Sequence, residues 1–232
     1  MPPSESTAVP VPAAVAEPGG VGPEPALLAE LRELARTAPA LARKNAWDLL
    51  ERLARDDRRE EIAALWAHGS PPERMDGALE GLIMGSMWGT PETRLGTLLT
   101  KIHPTWVGKT FDHESGTGFN RLIWFSRPAF LVIATGYRSF RRNGEVVEGF
   151  AFDHRLETAA IAPYVTVRAL DYGVPAYGNP SVRTFPIART RDEIVELVRG
   201  VYLGRALLTK GDGEIVPIAH FALRDRLSED VT

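Results

Sequence analysis

The feature that most constrains this chain is the stretch VYLGRALLTKGDGEIVPIAHFALR, Val201 to Arg224, in which two runs of strand-forming residues flank Lys210-Gly211-Asp212-Gly213. Asp-Gly supplies the positive φ angles of a type I′ turn, whose twist matches the strands it joins, so the stretch predicts a β-hairpin. With Asp212 and Gly213 as the loop, Arg205 falls opposite His220 and Gly204 opposite Phe221. A three-residue loop, Gly211 to Gly213, slides the register by one and sets Gly204 opposite His220. Leu203, Leu207 and Ile218 share one face with Arg205 and His220, and Tyr202, Leu208 and Leu223 share the other. A hairpin apolar on both faces is covered on both, as in a closed barrel or beneath packed helices. Arg205 and His220 are thereby singled out as a polar pair in apolar surroundings, expected to project side by side into the barrel interior.

The remainder of the chain divides by texture. Residues 1–24 are Pro, Ala, Gly and Val with almost no long aliphatic or aromatic side chain, too little apolar surface to offset the entropy of ordering, and predict a disordered tail. Over 25–68 the period turns helical: Leu27, Leu28, Leu31 and Leu34 form one stripe, Leu49, Leu50 and Leu53 another after Pro39, then Ile62, Leu65 and Trp66. Three short amphipathic helices packed on the barrel are expected, their mixed-sign charges forming a solvated face. From 75 to 225 the pattern is that of strands. Leu79 to Trp88 suits a covered strand. Thr90-Pro91-Glu92 predicts a helix start before Leu95, Leu98, Leu99 and Ile102, and Pro128 to Tyr137 is a strongly apolar strand. Asn143-Gly144 signals a second hairpin, and counting outward puts Tyr137 beside Phe150. Val165 to Asp171 alternates as a strand, Val182 to Ile187 reads as an edge strand, and Thr190-Arg191-Asp192-Glu193 matches a capping box opening a helix over Ile194 to Val198. Residues 228–232 are expected to fray. These elements predict an α+β protein: an antiparallel β-barrel or strongly curved sheet, lipocalin-like, preceded by a short helical region.

Composition narrows the function classes. A formal net charge of -3 gives no broad electrostatic reason to expect nucleic acid, and the absence of cysteine excludes disulfides, thiolate metal sites and a cysteine nucleophile. No apolar run reaches the ~20 residues that span a bilayer as a helix, and the first twenty residues lack a basic start, so a cytoplasmic protein without membrane insertion is expected. Gly108-Lys109-Thr110 resembles the end of a phosphate loop, but His103 stands where its first glycine belongs. No serine sits in Gly-x-Ser-x-Gly, and none of the five histidines pairs at the i, i+4 spacing of a helical metal site; no metal and no cofactor is expected.

A resemblance adds to this reading. Trp106-Val107-Gly108-Lys109-Thr110-Phe111, Asn120, Leu170-Asp171-Tyr172 with Pro175 and Asn179-Pro180, and Tyr202-Leu203-Gly204-Arg205-Ala206 are similar to a group of actinobacterial proteins. More distantly they resemble the GXWXG domain and the β-rich domain adjoining it, over roughly 75–224. Gly85-Ser86-Met87-Trp88-Gly89 spaces its glycines and tryptophan differently from the eponymous pattern. The resemblance implies a lipocalin-like or fatty-acid-binding-protein-like barrel and transfers no catalytic residue.

The candidate chemistry follows from polar residues in apolar strands. His220, kept neutral by the Arg205 charge, is the candidate base, with Asp171 as a second proton-transfer group. Arg205, Lys109, Asn120, Tyr172, Tyr202 and Trp106 are the candidate ligand-binding residues, able to orient a carbonyl or carboxylate in an apolar cavity. The expected partner is a hydrophobic small molecule with such a head group. The alternatives are an enzyme of specialised metabolism, a cyclase or isomerase acting on a polyketide or terpenoid, and a structural domain with a filled barrel. The sequence leaves the assembly state open, a homodimer included.

Overall fold

The computed structural model describes residues 22–86, 106–124, 137–181 and 186–225. The disordered tail, the Thr90 helix start with residues 95–102, the apolar strand over 128–137, the edge strand over 182–187 and the frayed end lie wholly or mostly outside those residues. Three helices come first, α1 (Ala26–Thr37), α2 (Pro39–Arg55) and α3 (Arg59–Ala67), as the leucine stripes predict. Pro39 stands in the first turn of α2, where its missing N–H costs nothing.

The described residues then hold nine strands: β1 (Gly77–Met84), β2 (Trp106–Asp112), β3 (Thr117–Ile123), β4 (Arg141–Asn143), β5 (Val146–Thr158), β6 (Thr166–Asp171), β7 (Thr190–Val198), β8 (Val201–Thr209) and β9 (Ile215–Asp225). Each of the main strands pairs antiparallel with its neighbour in the chain, β9 returns to β1, and β3 pairs β5 past the short flap β4. The result is a closed, eight-stranded, up-and-down barrel preceded by helices: the α+β, lipocalin-like architecture expected. Closure removes the sheet edges that an open antiparallel sheet would leave unpaired.

Closure demands a corner, and β5 supplies it. Its first half pairs β3 and β4, and its second half pairs β3 and β6. Between Gly118–Phe152 and Asn120–Gly149 the register shifts, leaving Phe150 and Ala151 opposite Phe119. Phe150 sits at φ 52, a conformation an L-residue adopts only when its surroundings impose it. The imposing contacts are plain: the Phe150 N–H donates to the Tyr137 hydroxyl at 2.6 Å, and its carbonyl accepts from Asn120 Nδ2 at 3.2 Å. Tyr137 does lie beside Phe150, with ring centroids 4.7 Å apart, but by side-chain contact. The hairpin turn is Gly144–Glu145, one residue later than Asn143-Gly144 predicts, since Asn143 pairs Val146.

The C-terminal hairpin combines both registers weighed from the sequence. Its loop is the three-residue one, with Lys210 paired to Glu214 and Thr209 to Ile215. A bulge at Ile218 absorbs the slip, so Arg205 still faces His220 and Gly204 still faces Phe221. The capping-box expectation is overturned: Thr190 to Val198 is strand β7, not the start of a helix. Alternation decides it. Asp192 and Ile194 face into the barrel, while Glu193 and Val195 face the helices.

Two cores result. Inside, Phe111, Phe152, Leu170, Ile194, Phe221 and Leu223 fill the barrel with Met75 and Tyr202. Outside, Leu28, Leu50, Ile62 and Trp66 of the helices cover Val167, Val195, Leu203 and Ala222. Segment 70–76 crosses one end of the barrel. Ser70 bridges Glu196, Arg168 Nε donates to the Pro72 carbonyl at 2.9 Å, and Met75 inserts into the inner core. That end carries only the short connections 113–116, 159–165 and 199–200, whereas the long ones, 85–105, 124–140 and 172–189, leave from the opposite end.

The inner core leaves no room at Gly204, because a Cβ there would strike the Phe221 ring directly opposite. Gly204→Ala is expected to lower unfolding free energy by about 1–3 kcal/mol, the usual cost of overpacking. Urea denaturation checks this, and Phe221→Leu in the same chain should recover part of the loss.

Candidate functional site

Inward-facing positions on opposite sides of the barrel bring five polar side chains together. Lys109 from β2 reaches across the interior to Asp192 of β7, with Nζ to Oδ2 at 2.8 Å. Its ammonium also donates to the Tyr172 hydroxyl at 2.5 Å and to Asn120 Oδ1 at 2.8 Å. Tyr172, just beyond β6, donates in turn to Asp192 Oδ2 at 2.8 Å. Trp106, at the start of β2, gives its indole N–H to the same Asn120 Oδ1 at 3.0 Å. Asn120 therefore ties this cluster to the strained Phe150 corner through its Nδ2. Backbone strain of this kind, about 1–3 kcal/mol where it occurs, gathers at working sites.

The surroundings of the lysine are aromatic. Four rings, those of Trp106, Phe152, Tyr172 and Phe221, have centroids 5.1–5.6 Å from Nζ, within cation–π range. Lys109 is only 2% exposed. Burial lowers its pKa from the ordinary lysine value, and the Asp192 carboxylate opposes that shift. Burial likewise pushes the Tyr172 hydroxyl well above its usual range, with Asp192 adding to the effect, so this phenol keeps its proton. The site thus offers an ammonium, an indole N–H, an amide and a phenol to one small volume, with a carboxylate as counter-ion. It lies toward the end of the barrel from which the long connections leave, where function tends to reside.

The structure sorts the residues expected from the sequence. Lys109, Asn120, Tyr172 and Trp106 stand together in one hydrogen-bonded set. Tyr202 also faces inward, but next to the short β7–β8 turn, hydrogen-bonded to Asp225. Asp171 neighbours the inward Leu170, so it points out of the barrel, and it accepts the Gly173 N–H at 2.7 Å. Arg205 and His220 do face each other across the hairpin, yet not into the interior. Their face of β8 and β9 is the one the helices cover, because Leu203 and Ala222 beside them pack on α2 and α3.

There the Arg205 guanidinium lies 3.6 Å from the Trp66 ring centroid and donates from Nε to Glu193 Oε2 at 2.9 Å. Glu193, fully buried, also accepts the Ala160 N–H at 2.6 Å and Arg191 Nε at 3.1 Å. These contacts tie α3 to the barrel wall. Burial, with Arg205 and Arg59 nearby, lowers the His220 pKa to about 3, so the imidazole is neutral at physiological pH as expected, but in an apolar seam. A third buried group, His154, accepts from Arg168 Nη1 at Nδ1 (3.1 Å) under segment 70–76, and burial lowers its pKa too.

Asp192 is the site residue that sequence reasoning missed. The capping-box match over Thr190 to Glu193 masked the strand that carries it, and its consecutive acids give no alternating pattern to reveal that strand. Among the described residues no three His, Asp or Glu side chains converge as a metal site, and no helix is long and apolar enough to cross a membrane. Compared with protein-family models, curated proteins and solved structures, the chain finds no match in any of the three.

Proposed function

We propose that this protein is a barrel that binds a hydrophobic small molecule by a carbonyl or carboxylate head group set against Lys109 and Trp106. The observation that carries the reading is the double role of Asn120 Oδ1. One amide carbonyl oxygen accepts both the Lys109 ammonium and the Trp106 indole N–H. It thereby marks the point where a ligand oxygen, taking the place of that side-chain carbonyl, would find two donors already aimed. Arrangements of a few convergent polar groups in an aromatic lining fix ligand orientation in small-molecule sites. The resemblance to the GXWXG domain and its β-rich neighbour, with a cytoplasmic setting, belongs to the same proposal.

Native mass spectrometry of freshly purified protein, followed by titration with chain-matched fatty acid, fatty aldehyde and alkane, tests it. The oxygenated ligands are expected to bind at least tenfold more tightly than the alkane. Equal affinity for all three, or no binding of any, would overturn the assignment.

Two other readings each have an observation behind them. The Tyr172–Asp192 hydrogen bond beside an amine of lowered pKa suits proton transfer, as an isomerase or cyclase of specialised metabolism would need. The near-zero exposure of Phe111, Phe152, Leu170, Ile194 and Leu223 suits a structural barrel filled by its own side chains.

A further inference from the structure

We propose that Lys109 is a Schiff-base-forming amine and that the head group it takes is the carbonyl of an apolar aldehyde or ketone, an inference that rests on the ligand-binding reading of the same site and sharpens it.

The argument begins with what surrounds Nζ. An amine that condenses with a carbonyl needs three things within reach: a base to remove its extra proton, an acid for the carbonyl oxygen, and walls that keep bulk water from hydrolysing the product. Asp192 Oδ2, 2.8 Å away, is the base. The Tyr172 hydroxyl, 2.5 Å from Nζ and held protonated, stands where a carbonyl oxygen near Nζ would develop charge. Phe152, Phe221, Trp106 and the Tyr172 ring are the walls. Burial favours the neutral, nucleophilic form of the amine, the same effect that activates lysines desolvated in apolar pockets. Asn120 Oδ1 already places a carbonyl oxygen against the two donors, so a ligand carbonyl taking that position would set its carbon beside Nζ.

The step balances without an external reagent. The Lys109 ammonium gives one proton to Asp192, and the free amine adds to the carbonyl carbon. A second nitrogen-bound proton passes to the former carbonyl oxygen, with the Tyr172 hydroxyl stabilising that oxygen as it develops charge. Asp192 then returns its proton to the hydroxyl of the carbinolamine, the C–O bond breaks, and water leaves. The product is a protonated imine of Lys109 paired with the same carboxylate that paired with the ammonium, so the charge of the site is unchanged.

The lysine content makes the test selective. The chain has four lysines, Lys44, Lys101, Lys109 and Lys210. Lys44 and Lys210 are held in exposed ion pairs with Asp48 and Glu214, and for Lys210 the carboxylate raises the pKa and keeps it a poor nucleophile at neutral pH. The full-length protein is incubated at pH 7 with decanal and cyanoborohydride, then digested and mapped by mass spectrometry; in parallel, decanol binding is measured by native mass spectrometry. The expected result is reduced alkylation at Lys109 at least tenfold above any other lysine, suppressed by excess decanol. Decanol binding with alkylation spread over the exposed lysines, or with none, overturns the Schiff base and leaves the binding reading standing. Loss of both decanol binding and Lys109 labelling overturns both.

Discussion

Lys109→Met is expected to cost about 3–5 kcal/mol of unfolding free energy, because it leaves the Asp192 carboxylate buried among aromatic rings without its counter-ion. In a domain whose whole stability is of the order of 5–15 kcal/mol, that is a fifth or more. The reasoning is asymmetric. A buried ion pair gains little over an apolar pair of similar size, since desolvation of both groups offsets their attraction, but breaking it strands one charge. Lys109→Met with Asp192→Leu should therefore be closer to wild type than Lys109→Met alone, although Tyr172 then loses its acceptor. Urea unfolding of the two single variants and the double variant closes the cycle, and a coupling below about 0.5 kcal/mol would show that the pair does not act as a unit. The double variant also separates stability from function, since a chain that folds but has lost its interior ammonium should no longer prefer oxygenated ligands.

Acid should destabilise the protein through His220. Its pKa is lowered from 6.5 to about 3 in the folded protein. Between those values the unfolded chain binds a proton that the folded chain does not, so this contribution is complete above about pH 6.5 and falls as the pH drops toward 3. The total is of the order of 5 kcal/mol, with about 2 kcal/mol lost by pH 5. The cause is local: burial in that seam strips the imidazolium of water, and Arg205 and Arg59 repel it further. His154, lowered by its own burial and by Arg168, adds a loss of the same sign. His220→Gln removes the titrating group and should flatten the decline of unfolding free energy between pH 7 and pH 4. Parallel curves for the variant and wild type would mean that His220 is already accessible to protons in the folded state.

The seam and the barrel interior are separated by a single strand, and β7 shows how. Asp192 and Glu193 are consecutive acids whose side chains leave the strand on opposite faces, one to pair with Lys109 inside and the other with Arg205 outside. Each face of β7 is thus fixed by its own buried ion pair. Reading Arg205 and His220 as cavity residues failed for the same reason: a strand apolar on both faces does not announce which face is the interior.

The sequence by itself determined the helices, several of the strands and the place of the last hairpin. Leucine stripes placed α1 to α3 and Gly211-Asp212-Gly213 placed the last hairpin, because side-chain periodicity and turn chemistry are local properties, whereas the Arg205–His220 pairing depends on the bulge at Ile218 that no turn signal announces. It also pointed to Lys109, Asn120, Tyr172 and Trp106 as polar groups in apolar strands. What only the tertiary structure decided is which residues share a space. Thr190 to Val198 satisfies a helix cap and a strand equally well, and the choice went to the strand because Lys109 and Arg205, distant in sequence, stand ready on either side for its two acids. Burial of a charge depends on what the rest of the chain brings to meet it, and no window of neighbouring residues contains that information.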